Sequence, residues 1–253
     1  MEPAILYVDK LTLEYRTAKK ITLAIYRVGF ELFKGERLVI VGKSGCGKST
    51  LLNAVGGFAT PQYHLYIREG RLLLHGRPVS KPGPDRIMVF QQPALLPWKT
   101  TFENVIFPLV NAARLTKKAA GDRASIYLHK VGLADQLDKY PHQLSGGQRQ
   151  RVSIARAFAM QAEILLMDEP FGALDALTKA EMQDGLLELC EQTKATVVFI
   201  THDILEAIKV GHRILVLSSH PGQVIAELNG LPAQAGPEPR QALQQRIETL
   251  LNH

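Results

Sequence analysis

A glycine-rich run, GKSGCGKST at residues 42–50, is the feature that most constrains what this 253-residue chain can fold into. It matches the pattern glycine, four residues, then Gly-Lys-Ser, and it lies between the apolar run RLVIV and a stretch with Leu51, Leu52 and Val55 at helical spacing. A strand, a glycine loop and a helix in that order direct backbone N–H groups and the positive end of the helix dipole at a phosphate chain. The alternative is a turn without chemical purpose, but the context favours a phosphate loop.

The chemistry of such a loop gives its side chains distinct roles. Lys48 is expected to reach the β- and γ-phosphates of a nucleotide, and the hydroxyl of Ser49 is expected to ligate Mg²⁺. We expect the whole run to contact the nucleotide, namely Gly42, Lys43, Ser44, Gly45, Cys46, Gly47, Lys48, Ser49 and Thr50.

The remaining apolar runs predict the rest of the fold. Short buried strands separated by helical stretches are predicted at IMVF (87–90), ILLM (164–167), TVVFI (196–200) and ILVL (214–217). Alternating apolar and polar residues before residue 36 and around 64–80 predict antiparallel strands at one edge. The predicted class is therefore α/β, a parallel sheet core with an antiparallel edge subdomain and an inserted helical subdomain at about 93–158.

The C-terminal segment differs from this core in composition. Residues 1–230 are predicted to form the nucleotide-binding domain, and 231–253 a proline- and glycine-rich linker followed by a short helix. Its apolar stripe consists of Leu243, Ile247, Leu250 and Leu251.

Composition narrows the choice of compartment and partner. No apolar run approaches the roughly 20 residues of a membrane-spanning helix, MEPAILYVDK is unlike a signal peptide, and Cys46 and Cys190 have no metal-like spacing, so we expect a cytosolic protein. The net charge of +6 suits nucleic acid, an anionic membrane surface or a polyphosphate ligand. Because the basic residues are scattered, nucleic acid is not the expected partner.

Polar side chains follow three of the predicted strands. After ILLM, Asp168 is expected to hold the Mg²⁺ and its hydration shell, and Glu169 to polarise the attacking water; an exposed acidic pair at a turn is the alternative. His202 could be an ordinary surface residue, but at the carboxyl edge of this sheet it could donate a hydrogen bond to a γ-phosphate. Gln91 is a candidate for contact with Mg²⁺ and the attacking water.

A second helix start in the chain also looks suited to an anion. In LSGGQRQRVSIARA, Ser145 is a good N-cap, Gly146 and Gly147 leave N–H groups uncovered, and the helix places arginines opposite an apolar side. No second acidic Mg²⁺ site accompanies it. We therefore expect this helix start to cap a nucleotide that is held by another copy of the chain.

Taken together, these elements resemble the ATP-binding-cassette ATPases from about Leu6 to Gly222, and LSGGQ at 144–148 matches that family's signature in full. The resemblance implies a P-loop NTPase (RecA-like) fold and a head-to-tail dimer with ATP between the phosphate loop of one copy and Ser145, Gly146, Gly147 and Gln148 of the other. It implies that Tyr15 stacks on adenine and that Gln91 is the glutamine of the hinge between the lobes. Asp168 would contact the metal ion and Glu169 the attacking water. Asp175 would lie at the dimer seam, and His202 would be the switch histidine.

Longer segments such as DEPFGALDALTK and SSHPGQV resemble the ATPase subunits of bacterial importers for nitrate, taurine and aliphatic sulfonates. This implies transmembrane permease subunits, a periplasmic binding protein as an indirect partner, and a peripheral location on the cytoplasmic face of the inner membrane. An exposed apolar contact for the permease is expected at Leu95, Leu96, Pro97 and Trp98, with ordinary lobe core as the alternative. Lys43, where proline is common, and the long stretch 59–70 depart from the family pattern.

Three other functions remain open on the sequence. One is an exporter or lipid-transfer ATPase, because the direction of transport rests on subfamily resemblance. Another is a soluble cassette ATPase that acts on nucleic acid or the ribosome, although such proteins usually carry two cassettes or a long coiled-coil insertion. The third is a regulator without turnover, which the full set of acid, histidine and signature residues disfavours.

Overall fold

The computed structural model describes residues 3–172, 174–232 and 234–252, so the ends of the predicted domains at residues 1, 2 and 253 lie outside the described residues. The strands are β1 (Leu6–Arg16), β2 (Ile21–Leu32), β3 (Arg37–Gly42), β4 (Leu65–Leu74), β5 (Arg77–Pro78), β6 (Arg86–Val89), β7 (Ile164–Asp168), β8 (Thr196–Thr201), β9 (Arg213–Leu217) and β10 (Val224–Asn229). The α-helices are α1 (Lys48–Val55), α2 (Thr101–Asn111), α3 (Lys117–Lys130), α4 (Gly146–Ala159), α5 (Ala176–Thr193), α6 (Ile204–Val210) and α7 (Pro237–Asn252).

The chain divides into two compact units, which we call the sheet unit and the helical unit. The sheet unit comprises the chain up to Gly83 together with the chain from Ala195 onward, and the helical unit is Pro84–Lys194.

The sheet unit contains a run of strands in the order β10, β9, β3, β8. β3 is parallel to both β8 and β9, and β10 closes the run antiparallel to β9. Helices α1 and α6 both pack on β3 and β8, which is why residues 38–41 of β3 and all of β8 are buried. Strands covered on both faces have continuous apolar sequences instead of alternating ones.

The sheet unit also holds an antiparallel sheet in the order β2, β1, β4, β5. β1 pairs along its length with β2 on one side and β4 on the other. The unusual stretch 59–70 forms a 3₁₀ turn at Pro61–Tyr63 and the start of β4. The antiparallel edge expected from the alternating sequence is therefore confirmed.

In the helical unit, β6 and β7 form a parallel pair and α4 packs against β6. The helices α2, α3 and α4 pack on one another. The apolar side of α4 is buried as its sequence predicts, with Val152, Ala155 and Ala159 fully covered. The α/β class with parallel and antiparallel strands and inserted helices is confirmed.

Helix α7 begins at Pro237, inside the segment that was predicted to be a linker. Proline is well tolerated in the first turn of a helix because its fixed φ suits the helix and its missing N–H is not needed there. Of the four stripe residues, Ile247 is fully buried, and α7 packs on α6 and β9. Within the part of the chain that the structure describes, no helix combines the length and apolar character needed to cross a membrane.

Candidate functional site

The phosphate loop joins β3 to α1 and its glycines adopt a backbone that other residues rarely take. Gly45 and Gly47 have φ values of +80° and +100°. A Cβ at Gly47 would lie 2.6 Å from the carbonyl oxygen of Ala24. Glycine is therefore required at 47 both by conformation and by the close approach of β2.

Lys48 lies inside this loop, with only 4% of its surface exposed. Its Nζ donates hydrogen bonds to the carbonyl oxygens of Gly42 at 2.8 Å and of Lys43 at 3.1 Å. The ammonium group is thus held at the centre of the loop, in the position from which a lysine can serve a phosphate as a point charge.

The side chains of the predicted binding run do not all face the same way. Lys43, Ser44 and Ser49 are exposed, whereas Cys46 has 1% of its surface exposed and points into the interior. Cys46 can therefore contribute only its backbone to a ligand. The sequence pattern could not show this, because it specifies the spacing of the glycines and not the direction of the intervening side chains.

Tyr15 lies next to the first turn of α1. Its hydroxyl is 3.3 Å from Oγ1 of Thr50, within hydrogen-bond distance, and its side chain is half-buried near the end of β1. The structure therefore places this aromatic ring beside the helix that follows the phosphate loop.

His202 comes at the same sheet edge as the phosphate loop. In the parallel pair of β3 and β8, Val41 is opposite Thr201, so Gly42 and His202 follow at matching positions. The next residue, Asp203, caps α6 by accepting hydrogen bonds from the N–H groups of Leu205 and Glu206. This cap fixes the backbone immediately after His202, whose side chain is exposed.

In the helical unit, the parallel pair of β6 and β7 aligns Val89 with Met167. Gln91 and the acids Asp168 and Glu169 therefore leave the same edge of that pair. A Cβ built on Gly172 would lie 3.2 Å from Nε2 of Gln91 and 3.7 Å from Oε2 of Glu169. The predicted glutamine and the predicted base thus meet at Gly172, a residue that the sequence did not single out.

Glu169 has a left-handed backbone with a φ of +42°. The N–H of Gly172 donates to the carbonyl oxygen of Glu169 at 3.1 Å and closes the turn. A non-glycine residue in this conformation is uncommon and is retained where the surrounding structure enforces it.

The helix start at LSGGQ forms a reciprocal capping box. The hydroxyl of Ser145 accepts from the N–H of Gln148 at 3.2 Å, and Oε1 of Gln148 accepts from the N–H of Ser145 at 2.9 Å. The exposed hydroxyl of Ser145 keeps its own proton for donation to an anion. The amide oxygen of Gln148 instead serves the helix cap, a role that the spacing of the motif permits but does not reveal.

The signature and the predicted seam residue are connected through Thr178. Asp175 caps α5 by accepting from the N–H of Thr178 at 3.1 Å, and this bond lowers the pKa of Asp175, so its carboxyl is ionised at neutral pH. The methyl group of Thr178 would lie 2.9 Å from a Cβ at Gly147. Thr178 stands three residues after an Asp, which is the usual position for the partner of an N-cap.

The segment that carries Trp98 is held by two residues that the sequence analysis did not identify. The buried Asn104 accepts from the N–H of Leu96 at 2.8 Å and donates to the carbonyl oxygens of Leu96 and Lys99. Arg156, whose pKa is lowered by burial, donates to the carbonyl oxygen of Ala94 at 2.8 Å. Trp98 itself is 69% exposed, so it is not part of a lobe core.

Among the described residues, no group of three or more His, Cys, Asp and Glu side chains is arranged to hold a metal ion. The predicted magnesium ligands include only one such side chain, because they are Ser49, Gln91 and Asp168. They provide one hydroxyl, one amide and one carboxylate oxygen, which suits a cation that also takes phosphate oxygens and water as ligands.

The contact between Gly147 and Thr178 gives a test of this geometry. Gly147→Ala should lower the free energy of unfolding by about 1–2 kcal/mol, because the new methyl group overlaps the methyl group of Thr178. Adding Thr178→Ser should restore most of that loss, because serine removes the methyl and keeps the hydroxyl and the N–H that caps Asp175.

Urea unfolding of both single variants and the double variant gives the coupling energy. Thr178→Ser alone should change little and serves as the control. An equal effect of Gly147→Ala in both backgrounds would show that the two residues are not in contact.

The chain is similar in sequence to known proteins. The family described as "ABC transporter" matches residues 25–172. The bicarbonate transport ATP-binding protein CmpD of Synechocystis sp. is 44% identical over 90% of this chain and 79% of its own length. The nitrate transport protein NasD of Klebsiella oxytoca is 38% identical over 100% and 94%, and the taurine import ATP-binding protein TauB of Rhizobium johnstonii is 47% identical over 81% and 76%.

Solved structures agree with these relatives. A dimeric post-hydrolysis state of the ATP-binding cassette MJ0796 bound to ADP and Pi matches with a TM-score of 0.76 and 33% identity, over 90% of this chain and 99% of that one. CbiO1 from Clostridium perfringens, part of the ABC transporter complex cbiONQ, matches with a TM-score of 0.79 and 27% identity, over 99% and 98%. The family resemblance drawn from the motifs is confirmed: the chain belongs to the ABC transporter family and is one of its ATP-binding ATPase cassettes.

Proposed function

We propose that this chain is the ATP-hydrolysing subunit of a bacterial importer for a small anion such as nitrate, bicarbonate, taurine or an alkanesulfonate. The observation that carries the proposal is that relatives matching 81–100% of the chain are named for the transport or import of bicarbonate, nitrate and taurine. Those three solutes share a compact anionic group. None of these three names describes export, lipid transfer or nucleic acid.

In this function the phosphate loop binds the triphosphate of ATP. The N–H groups around Gly45 and Gly47 surround the phosphates, and Lys48 exchanges the carbonyl oxygens of Gly42 and Lys43 for β- and γ-phosphate oxygens. Tyr15 lies on the adenine side, where its ring can stack on the base. Ser44 and Ser49 are exposed, and we assign their hydroxyls to phosphate and magnesium.

Ser49, Gln91 and Asp168 are the residues that would hold Mg²⁺, and their oxygen atoms fit this ion. When bound, Mg²⁺ neutralises part of the charge on the phosphates that would otherwise repel a nucleophile.

Glu169 is the group we assign to the attacking water. Water attacks the γ-phosphorus in line with the leaving oxygen of ADP, its proton passes to the Glu169 carboxylate, and ADP and phosphate result. Gln91, which meets Glu169 at Gly172, helps to orient the water, and His202 donates a hydrogen bond to a γ-phosphate oxygen. The enforced backbone of Glu169 supports a positioned base rather than a mobile surface acid.

Glu169→Gln should lower ATP turnover at least 100-fold while ATP binding stays within about twofold of the original, because the amide keeps the size of the side chain and cannot take the proton. Steady-state phosphate release and equilibrium binding of a fluorescent ATP analogue measure the two effects. Glu163→Gln, just before the opposite end of β7, is the matched control and should hydrolyse ATP normally. Normal turnover in Glu169→Gln would contradict the proposed role of Glu169 as the base for the attacking water.

The same proposal includes a second copy of the chain. The capped helix start at Ser145 binds the nucleotide held on the phosphate loop of the partner copy, with Gly146 and Gly147 exposing their N–H groups to its phosphates. The solved dimer of a related cassette bound to ADP and Pi supports this arrangement. Asp175, joined to the signature through Thr178, then lies at the seam between the copies.

The dimer arrangement predicts different consequences for two substitutions. Ser145→Arg should abolish hydrolysis and leave ATP binding to the isolated subunit within about threefold, because the arginine blocks the partner's nucleotide. Lys48→Ala should abolish both hydrolysis and binding, because it removes a charge inside the phosphate loop.

Binding titrations at concentrations where the chain is monomeric, together with turnover at high concentration, separate the two variants. If Ser145→Arg lost monomer binding as completely as Lys48→Ala, the two residues would belong to the same half-site and the dimer assignment would fail.

Trp98 and the exposed Pro97 next to it are the surface that we assign to the permease. The hydrogen bonds of Asn104 and Arg156 present this segment as a fixed apolar projection, and a large exposed aromatic is typical of a binding anchor. In this assembly the chain lies on the cytoplasmic face of the inner membrane. A periplasmic binding protein delivers the solute to the permease and does not contact this chain.

Deleting the gene should abolish uptake of one small anion, measured with labelled nitrate, bicarbonate, taurine and an alkanesulfonate. Complementation with Trp98→Ala should restore less than a tenth of that uptake, although the purified variant hydrolyses ATP normally. Ile126→Ala, which removes another exposed apolar side chain of the helical unit, is the control and should restore uptake fully. Unchanged uptake of all four solutes after deletion would contradict the proposed substrate class.

A further inference from the structure

A groove of about 250 Å³ lies in the helical unit, between the end of α3 and the facing sides of α4 and α5. Its floor is apolar and consists of buried side chains, Val131, Ile154, Met182, Leu186 and Leu189. None of these residues takes part in the hydrolysis mechanism described above. The groove is therefore a feature of the helical unit that nucleotide chemistry leaves unexplained.

Gly185 is the residue that keeps this groove open. It lies on the same face of α5 as Met182, Leu186 and Leu189, where the helical spacing calls for a fourth apolar side chain. A Cβ at this position would meet no atom within 4 Å, and the backbone is ordinary right-handed helix. Glycine inside a helix is destabilising relative to alanine, so neither conformation nor packing accounts for it here.

The rim of the groove has an excess of positive charge. Nζ of Lys130 donates to Oε1 of Gln192 at 2.7 Å and lies 5.7 Å from the ring centroid of Tyr127, so both of these contacts are with neutral groups. Gln192 in turn donates to Glu188. An anion at the rim could therefore approach Lys130 without displacing a carboxylate bonded to its ammonium group.

The second cation of the rim, Arg151, is already bonded to a carboxylate and to a backbone carbonyl group. Arg151 donates to Oε2 of Glu181 at 3.1 Å and to the carbonyl oxygen of Val131 at 3.2 Å. These bonds join α4 to α5 and to the end of α3 across the groove. The exposed His129 also lines the rim. Among the lining residues, Glu181 is the one carboxylate, and the cations Lys130 and Arg151 outnumber it.

We propose that this groove binds a small organic anion with a flat apolar body and one carboxylate or sulfonate group. The body covers the floor beside Gly185, and the acid group bonds to Lys130 and is attracted by Arg151. The volume suits a ligand of one or two fused rings, and a charged group at the edge of an apolar floor fixes its orientation. Such a ligand contacts both α4 and α5, the helices capped by Ser145 and Asp175.

The test uses 2-naphthalenesulfonate and, as its uncharged counterpart, 2-naphthalenemethanol. Calorimetry is done with the nucleotide site saturated by a non-hydrolysable ATP analogue, so that binding beside Tyr15 is excluded. Gly185→Leu should weaken binding of both probes at least tenfold, because the new side chain fills the groove. Lys130→Gln should weaken the sulfonate at least fivefold and change the alcohol less than twofold.

Two further variants make the result decisive. Gly185→Ala fills less volume and should weaken binding less than Gly185→Leu, and it is also the variant to use if leucine disturbs folding. Gly121→Ala changes a glycine of α3 outside the groove and should bind both probes like the original chain. Binding unaffected by Gly185→Leu and Gly185→Ala, or weakened equally for both probes by Lys130→Gln, would overturn the proposal.

Discussion

The structure depends above all on the turn between the end of β3 and the start of α1. β3 is buried between β8 and β9, and α1 must begin within a few residues of its end. The close approach of Gly47 to the carbonyl of Ala24 fixes where the turn between them can lie. Lys48 is then largely buried and donates hydrogen bonds to carbonyl oxygens of the loop itself. A buried ammonium needs compensating partners, and the two carbonyl groups provide them, so the packing that forms the core also fixes the position of this charge.

Sequence patterns predicted those features that repeat or that follow fixed spacing. The continuous apolar runs predicted β3 and β8, and the alternation before residue 36 predicted β1 and β2, because burial on two faces or one leaves a distinct pattern. The glycine spacing predicted the phosphate loop, and Ser145 before two glycines predicted the capped start of α4. Each of these depends on neighbours within the sequence.

Features that depend on contacts between distant residues could not be predicted in this way. The inward direction of Cys46, the meeting of Gln91 with Glu169 at Gly172, and the support of the Trp98 segment by Asn104 and Arg156 all arise from tertiary packing. The start of α7 was missed for a different reason. Proline was taken as a mark of a linker, although it is equally suited to the first turn of a helix.

The contacts from Gly147 through Thr178 to Asp175 connect the start of α4 to the start of α5, so that this edge of the subunit is one rigid surface. The starts of α4 and α5 cannot shift independently without either separating the Thr178 methyl group from the backbone of Gly147 or breaking the cap of α5. A second copy that approaches this edge meets two helix ends already held in a fixed relation. If two copies associate as proposed, less conformational freedom is lost than if each end were ordered separately, because this surface is complete before a partner arrives.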